Sequence, residues 1–190
     1  MSAMIASFAA LVLGFAFNAA SASTTRLAAR FGIRRGQMAT VLLRDVLGIP
    51  LWLAGLAGTI ALPARALFET TRVSKYMAAV PIGAGSLVIA WALLSLRRRA
   101  AAPSVLDQLE QGGPYAFVRH PIHAGVILQL PGILLLWPTA PVGLACLMTL
   151  GWIGVQARLE ERDLVERLPG YREYTRHVPR LFPRLARKRA

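Results

Sequence analysis

The sequence predicts an all-α, polytopic membrane protein with about five transmembrane helices, on three observations. First, 55% of its residues are hydrophobic and only 16% are charged, so the mean hydropathy is positive and the chain is too apolar for an ordinary soluble domain. Second, the apolar residues fall in long runs free of Asp, Glu, Lys and Arg. Third, the Lys and Arg residues behind a formal charge of +13 cluster between and after those runs. That pattern fits lipid headgroups. It does not fit nucleic acid, for which the basic tail offers neither a folded module nor a groove-sized element.

Met1 to Thr25 carries no charge and is long enough for one transmembrane helix of about 20 residues. Its end, Asn18-Ala-Ala-Ser-Ala-Ser23, resembles a signal-peptidase site, but no Lys or Arg precedes the apolar core, so a retained first helix is expected. The second run, Val46 to Ala64, extends back through Val41-Leu42-Leu43. Arg44 and Asp45 are placed to pair with each other or reach the interface, and Gly48 and Pro50 predict a bend. Met77 to Leu96 is the third run, closed by Arg97-Arg98-Arg99. Ile122 to Ala157 is also uncharged and would measure about 54 Å as one helix, too long for a bilayer core. Pro138-Thr139-Ala140-Pro141 divides it into a fourth and a fifth helix, a tight hairpin. Pro131-Gly132 predicts a kink in the fourth. Cys146, the sole cysteine, reads as a small buried hydrophobe and excludes an intrachain disulfide or a cysteine-based metal cluster.

Five helices put the termini on opposite sides. Arg26, Arg30, Arg34 and Arg35 of the first loop, Arg97 to Arg99 of the third, and the tail from Arg172 through Arg176, Arg180, Arg184, Arg187, Lys188 and Arg189 then share one side. The positive-inside rule makes that side cytoplasmic and the N-terminus external, in a bacterial inner membrane or its equivalent. The tail is expected to rest on anionic lipid. No internal repeat or low-complexity segment is detectable.

Polar residues kept beside transmembrane spans are candidates for function, because they are costly there unless paired or wetted. Two clusters qualify: Gly112 to Gly125, leading into the fourth helix, and Arg158 to Asp163, at the end of the fifth. Measured from the turn at Thr139, His120 lies about as far back as Glu160 lies forward, so equal helical rise places them at similar depth across the hairpin. Pro121 suits a first helical position, and the free N–H groups of that turn attract an anion. Such a site can take a sulfonium cofactor, with Glu160 or Glu161 for its cation, Arg119, His120 and the helix start for its carboxylate, and Tyr115, Phe117 and Val118 around its base.

At Gly112-Gly-Pro-Tyr115, Arg119-His120-Pro121, Gly125, Glu160-Glu161 and Tyr171-Arg-Glu-Tyr174 to Val178-Pro179, the sequence resembles the isoprenylcysteine carboxyl methyltransferase and phospholipid methyltransferase superfamily of integral membrane enzymes. The resemblance covers roughly Leu106 to Pro183; the first hundred residues match only in hydropathy. It implies one membrane domain over residues 1–190, in which 1–100 hold the first three spans and 101–190 hold a cofactor-binding loop, the hairpin and a cytoplasmic C-terminal segment. It also implies S-adenosylmethionine as methyl donor and a lipophilic acceptor. The expected cofactor-binding residues are Leu109, Tyr115, Val118, Arg119, His120, Pro121, Ile122, His123, Gly125, Glu160, Glu161, Tyr171 and Tyr174. Arg158 and Glu161 are the expected catalytic residues. Two departures stand out: His123 replaces the usual Tyr, and Asp107 replaces a common His.

Blander readings exist for each part. Read alone, His120 and His123 are interfacial histidines, and Tyr171 and Tyr174 serve equally as interfacial anchors. Arg158 with Glu161, and Arg162 with Glu166, are spaced for helix-surface ion pairs. No metal site is expected, since no third ligand stands at a defined spacing from the histidines. The runner-up function is an NADPH-dependent reductase of the membrane sterol and steroid reductase type; a non-catalytic membrane scaffold is the third. The methyl acceptor is open among a carboxylate, an amine and a thiol, and the oligomeric state is open too.

Overall fold

The structure is a computed structural model that describes residues 1–97 and 108–183. Arg98, Arg99 and Asp107, with Arg184, Arg187, Lys188 and Arg189 of the tail, lie outside the described residues. Those described form eight α-helices: α1 (Ser2–Ser21), α2 (Thr24–Phe31), α3 (Ile33–Val41), α4 (Ile49–Ala61), α5 (Arg72–Arg97), α6 (Pro121–Leu136), α7 (Ala140–Arg167) and α8 (Tyr171–His177). The all-α part of the expectation therefore holds.

A π-helical stretch, Leu42–Gly48, joins α3 to α4 and makes one apolar helix of Ile33–Ala61. This is the form the expected bend takes. Pro50 has no N–H and its ring crowds the carbonyl four residues earlier; the turn widens just before it, so that the Ile49 N–H reaches the carbonyl of Arg44. Arg44 and Asp45 pair at 2.8 Å. The first loop is itself helical, with α2 reversing into α3 at Gly32, whose φ of +82° favours glycine.

Among the described residues, four helices are long and apolar enough to cross a membrane: α1, the joined α3–α4, α5 and α7. The fifth apolar helix, α6, has 16 residues, about 24 Å, against a hydrocarbon core of about 30 Å. Its length is set by prolines at both ends. Pro121 occupies its first turn, and Trp137, preceding Pro138, is driven out of the helical region.

α5 and α6, and α6 and α7, run antiparallel, as Gly132 against Ala78 with Gly125 against Ile89, and Cys146 against Leu130, show. α1 packs antiparallel on α4, where a Cβ on Gly55 would lie 2.6 Å from the Leu11 nitrogen, so the two backbones nearly touch. Leu11, Phe15, Leu56 and Ala145 fill the core between α1, α4 and α7, and the rings of Phe15 and Trp152 stack at 5.1 Å. The α6–α7 hairpin turns over Trp137 to Thr139, but the closest neighbour of α6 is α5. At one end of the bundle the Leu67 N–H donates to the Pro138 carbonyl at 2.6 Å. At the other, the Thr25 N–H donates to Asp163 at 2.8 Å and the Gln156 amide to the Asn18 carbonyl at 3.2 Å. The basic first loop and the C-terminal segment thus share an end, as the sequence requires.

Candidate functional site

The site forms where α6 begins and α7 ends. His120 caps α6 with its backbone alone, because its ring turns to α7 instead. The C-terminal segment clamps this start: the Arg119 N–H donates to the Pro179 carbonyl at 2.9 Å and the His120 N–H to that of Arg180 at 3.0 Å. Beneath the clamp Tyr171, Tyr174 and Leu168 pack with Leu109. The Tyr174 hydroxyl donates to the Tyr115 carbonyl at 2.5 Å. Burial pushes the Tyr174 phenol up to about 12, so it stays a donor.

Glu161 is the centre of an ion-pair network. It accepts from Arg119 Nε at 2.9 Å, from Arg180 Nε at 3.0 Å and Nη2 at 2.6 Å, and from His120 Nε2 at 3.2 Å. Arg119 gives its remaining terminal nitrogen to the carbonyls of Thr175, at 3.1 Å, and Val178, at 2.5 Å. The bond to Glu161 also raises the pKa of Arg180.

Glu160 is the contrasting member of the pair. No Arg or Lys among the described residues bonds it. It accepts from Gln156 Nε2 at 2.8 Å, lies 3.3 Å from His120 Nδ1 and 4.0 Å from His123 Nε2, and keeps 31% of its side chain exposed. The two imidazole rings are 5.3 Å apart. A carboxylate held by two guanidiniums is ionised, so His120 Nε2 must donate to Glu161, and its Nδ1 then faces the Glu160 oxygen. Two acceptors 3.3 Å apart require a positive charge between them. Burial alone lowers the pKa of His120, but its bonds to Glu160 and Glu161 outweigh that and raise it.

Of the expected cofactor residues, the structure gathers Arg119, His120, Pro121, His123, Glu160 and Glu161 into this cluster, with Ile122 in the first turn of α6. Gly125 faces α5, where a Cβ would stand 2.6 Å from Ile89 Cγ1; its role there is packing. Leu109, Tyr171 and Tyr174 support the clamp from behind. Val118 is buried, while Phe117 is exposed and tilts towards Trp91 at 6.3 Å, so with Tyr115 they do not close around one base-sized slot. A cleft of about 490 Å³ does open on the far side of Tyr174, lined also by Ala116, Gly170, Glu173 and His177.

Arg158 is exposed and does not pair with Glu161, whose oxygens Arg119 and Arg180 already hold. No Arg162–Glu166 pair forms among the described residues either; the helix pair of this end is Arg167 with Asp163, at 2.9 Å. Sequence reasoning assigned Arg180 to lipid and overlooked Gln156. The signal for Gln156 was its amide one turn before Glu160 in an otherwise apolar run. Across the helix pair, Glu160 of α7 brings a carboxylate oxygen within 4.8 Å of one ring nitrogen of each of His120 and His123, a grouping that spacing along α6 does not reveal.

No family model, no curated protein and no solved structure matches the chain.

Proposed function

We propose that the protein transfers a methyl group from S-adenosylmethionine to a lipophilic acceptor, at the membrane face that carries its basic loops, which the positive-inside rule makes cytoplasmic. The observation that carries this reading is the division of labour within the acid pair. Glu161 is fully engaged by protein donors, whereas Glu160 is held in place by Gln156 and lacks an arginine partner among the described residues. A half-exposed, oriented carboxylate of this kind suits an ammonium or sulfonium ligand. The Gln156 Oε1, buried and without a partner among the described residues, offers a second acceptor for an ammonium proton.

S-adenosylmethionine supplies an electrophilic methyl group, which the acceptor's lone pair takes up while the electrons of the C–S bond return to sulfur. Glu160 and Gln156 would hold the cationic amino-acid end, and the unpaired N–H groups of Ile122 and His123 in the first turn of α6 its carboxylate. Arg158, exposed at the same end of α7, is free to meet an anionic acceptor such as a prenylated cysteine. Catalysis then rests on positioning and on exclusion of water.

Calorimetric titration of the detergent-solubilised protein with S-adenosylmethionine, and separately with NADPH, tests this. Saturable binding of the first is expected, weakened about tenfold or more in Glu160→Gln, which removes one charge-assisted hydrogen bond. Absence of binding, or an affinity indifferent to Glu160→Gln, overturns the reading; saturable NADPH binding in its place would favour a reductase.

A further inference from the structure

His120, His123 and Glu160 each present one ligand atom, and the three atoms lie within 4.8 Å of one another. We infer that these three residues form a site for a divalent transition metal of the zinc type. Ligand atoms about 2.0–2.1 Å from a zinc ion stand about 3.4 Å apart at tetrahedral angles; His120 Nδ1 and Glu160 Oε2 are 3.3 Å apart. His123 Nε2 stands 4.0 Å from the other carboxylate oxygen, Oε1, so an ion between the histidines would be met by both Glu160 oxygens or after a turn of the carboxylate. Two imidazoles and one carboxylate leave a fourth position open, a donor set that suits zinc and not magnesium or calcium.

The surroundings are those of a metal ligand set. His120 donates Nε2–H to Glu161 at 3.2 Å, and Glu161 is itself fixed by Arg119 and Arg180. That carboxylate–imidazole link sets the tautomer and leaves the Nδ1 lone pair aimed at Glu160, as the outer partner of a metal-bound histidine does. Gln156 orients Glu160 in the same way at 2.8 Å. The inference does not rest on the methyl-transfer reading; zinc and the cofactor's ammonium would compete for Glu160.

The test uses the full chain in detergent, stripped with chelator and titrated calorimetrically with zinc chloride. Saturable binding of a single zinc per chain is expected, with a higher melting temperature and, on cobalt substitution, visible absorption of tetrahedral character. Glu160→Gln, nearly isosteric, and His123→Ala should each weaken zinc by at least about tenfold, with helix content by circular dichroism confirming the fold. His177→Ala, which removes the third histidine of the chain, should leave affinity unchanged. Lack of saturable zinc binding by the wild type overturns the inference, and so does loss in His177→Ala with retention in Glu160→Gln. The wild-type cobalt spectrum decides even if a variant does not fold, and none of these readings depends on S-adenosylmethionine binding.

Discussion

Among the described helices, α6 packs chiefly against α5 and α7, and it meets them by opposite means. Towards α5 it offers small residues: Gly125 lies against Gly85, where an added Cβ would be 2.7 Å from the carbonyl oxygen, and Gly132 lies against Ala78. Towards the end of α7 it offers charge, as Arg119 and His120 meet Glu160 and Glu161. The first contact is dispersion and close backbone approach, the means by which helices associate in lipid. The second is a set of desolvated ions whose favourable energy exists only while every partner is present. The small residues set how closely α6 approaches α5, and the ion network ties the start of α6 to the end of α7.

The sharpest way to break this comparison is to remove the hub of the network. Glu161→Ala leaves the Arg119 guanidinium, 9% exposed, and the His120 Nε2–H without their acceptor, at a cost of about 3–5 kcal/mol by analogy with other severed buried pairs. Arg180, 36% exposed, adds little because water screens it. Denaturant or thermal unfolding in detergent measures the loss. A change below about 1 kcal/mol would mean that headgroups or water replace the carboxylate, and the network would then be an accessory to the fold.

The complementary change is smaller and probes the other face. Gly125→Ala puts a Cβ 2.6 Å from Ile89 Cγ1 and 2.7 Å from the Gly85 carbonyl, and relief by shifting α5 from α6 should cost about 1–3 kcal/mol. If the two contacts are independent, the folded fraction keeps its affinity for S-adenosylmethionine and for zinc. An affinity that falls in step with stability would show that the α5 contact sets the geometry of the first turn of α6 as well.

Much of this arrangement was legible in the sequence. The uncharged run broken at Pro138 and the equal distances of His120 and Glu160 from that break place the two groups together, and they stand 3.3 Å apart. Periodicity and hydropathy carry such information because helical rise is fixed. The closest neighbour of α6 was not legible, since small residues signal close approach without naming the partner helix. Nor was the destination of Arg180, which depends on how the chain turns after α8 and not on any pattern local to it. Glu160 and Glu161 are adjacent and alike in sequence; the 100° between successive helical residues gives one of them to the arginines and turns the other towards Gln156, His120 and His123. The same geometry hid the grouping of Glu160 with His120 and His123, because a cluster assembled from two helices has no spacing in either.

The smallest expected effect lies beside the network and outside it. Arg158 stands exposed on α7, three residues before Glu161, with no ion pair among the described residues. Arg158→Ala should therefore change stability by less than about 0.5 kcal/mol, in contrast to the loss of Glu161 from the same helix end. Its consequence should be in turnover: with a prenylated cysteine carboxylate as acceptor, KM should rise several-fold while the affinity for S-adenosylmethionine stays constant, because an exposed cation serves an incoming anion and not the cofactor's positive end. A stability loss above about 1 kcal/mol would instead make Arg158 a member of the ion network, and the separation of committed from available charge at the end of α7 would fail.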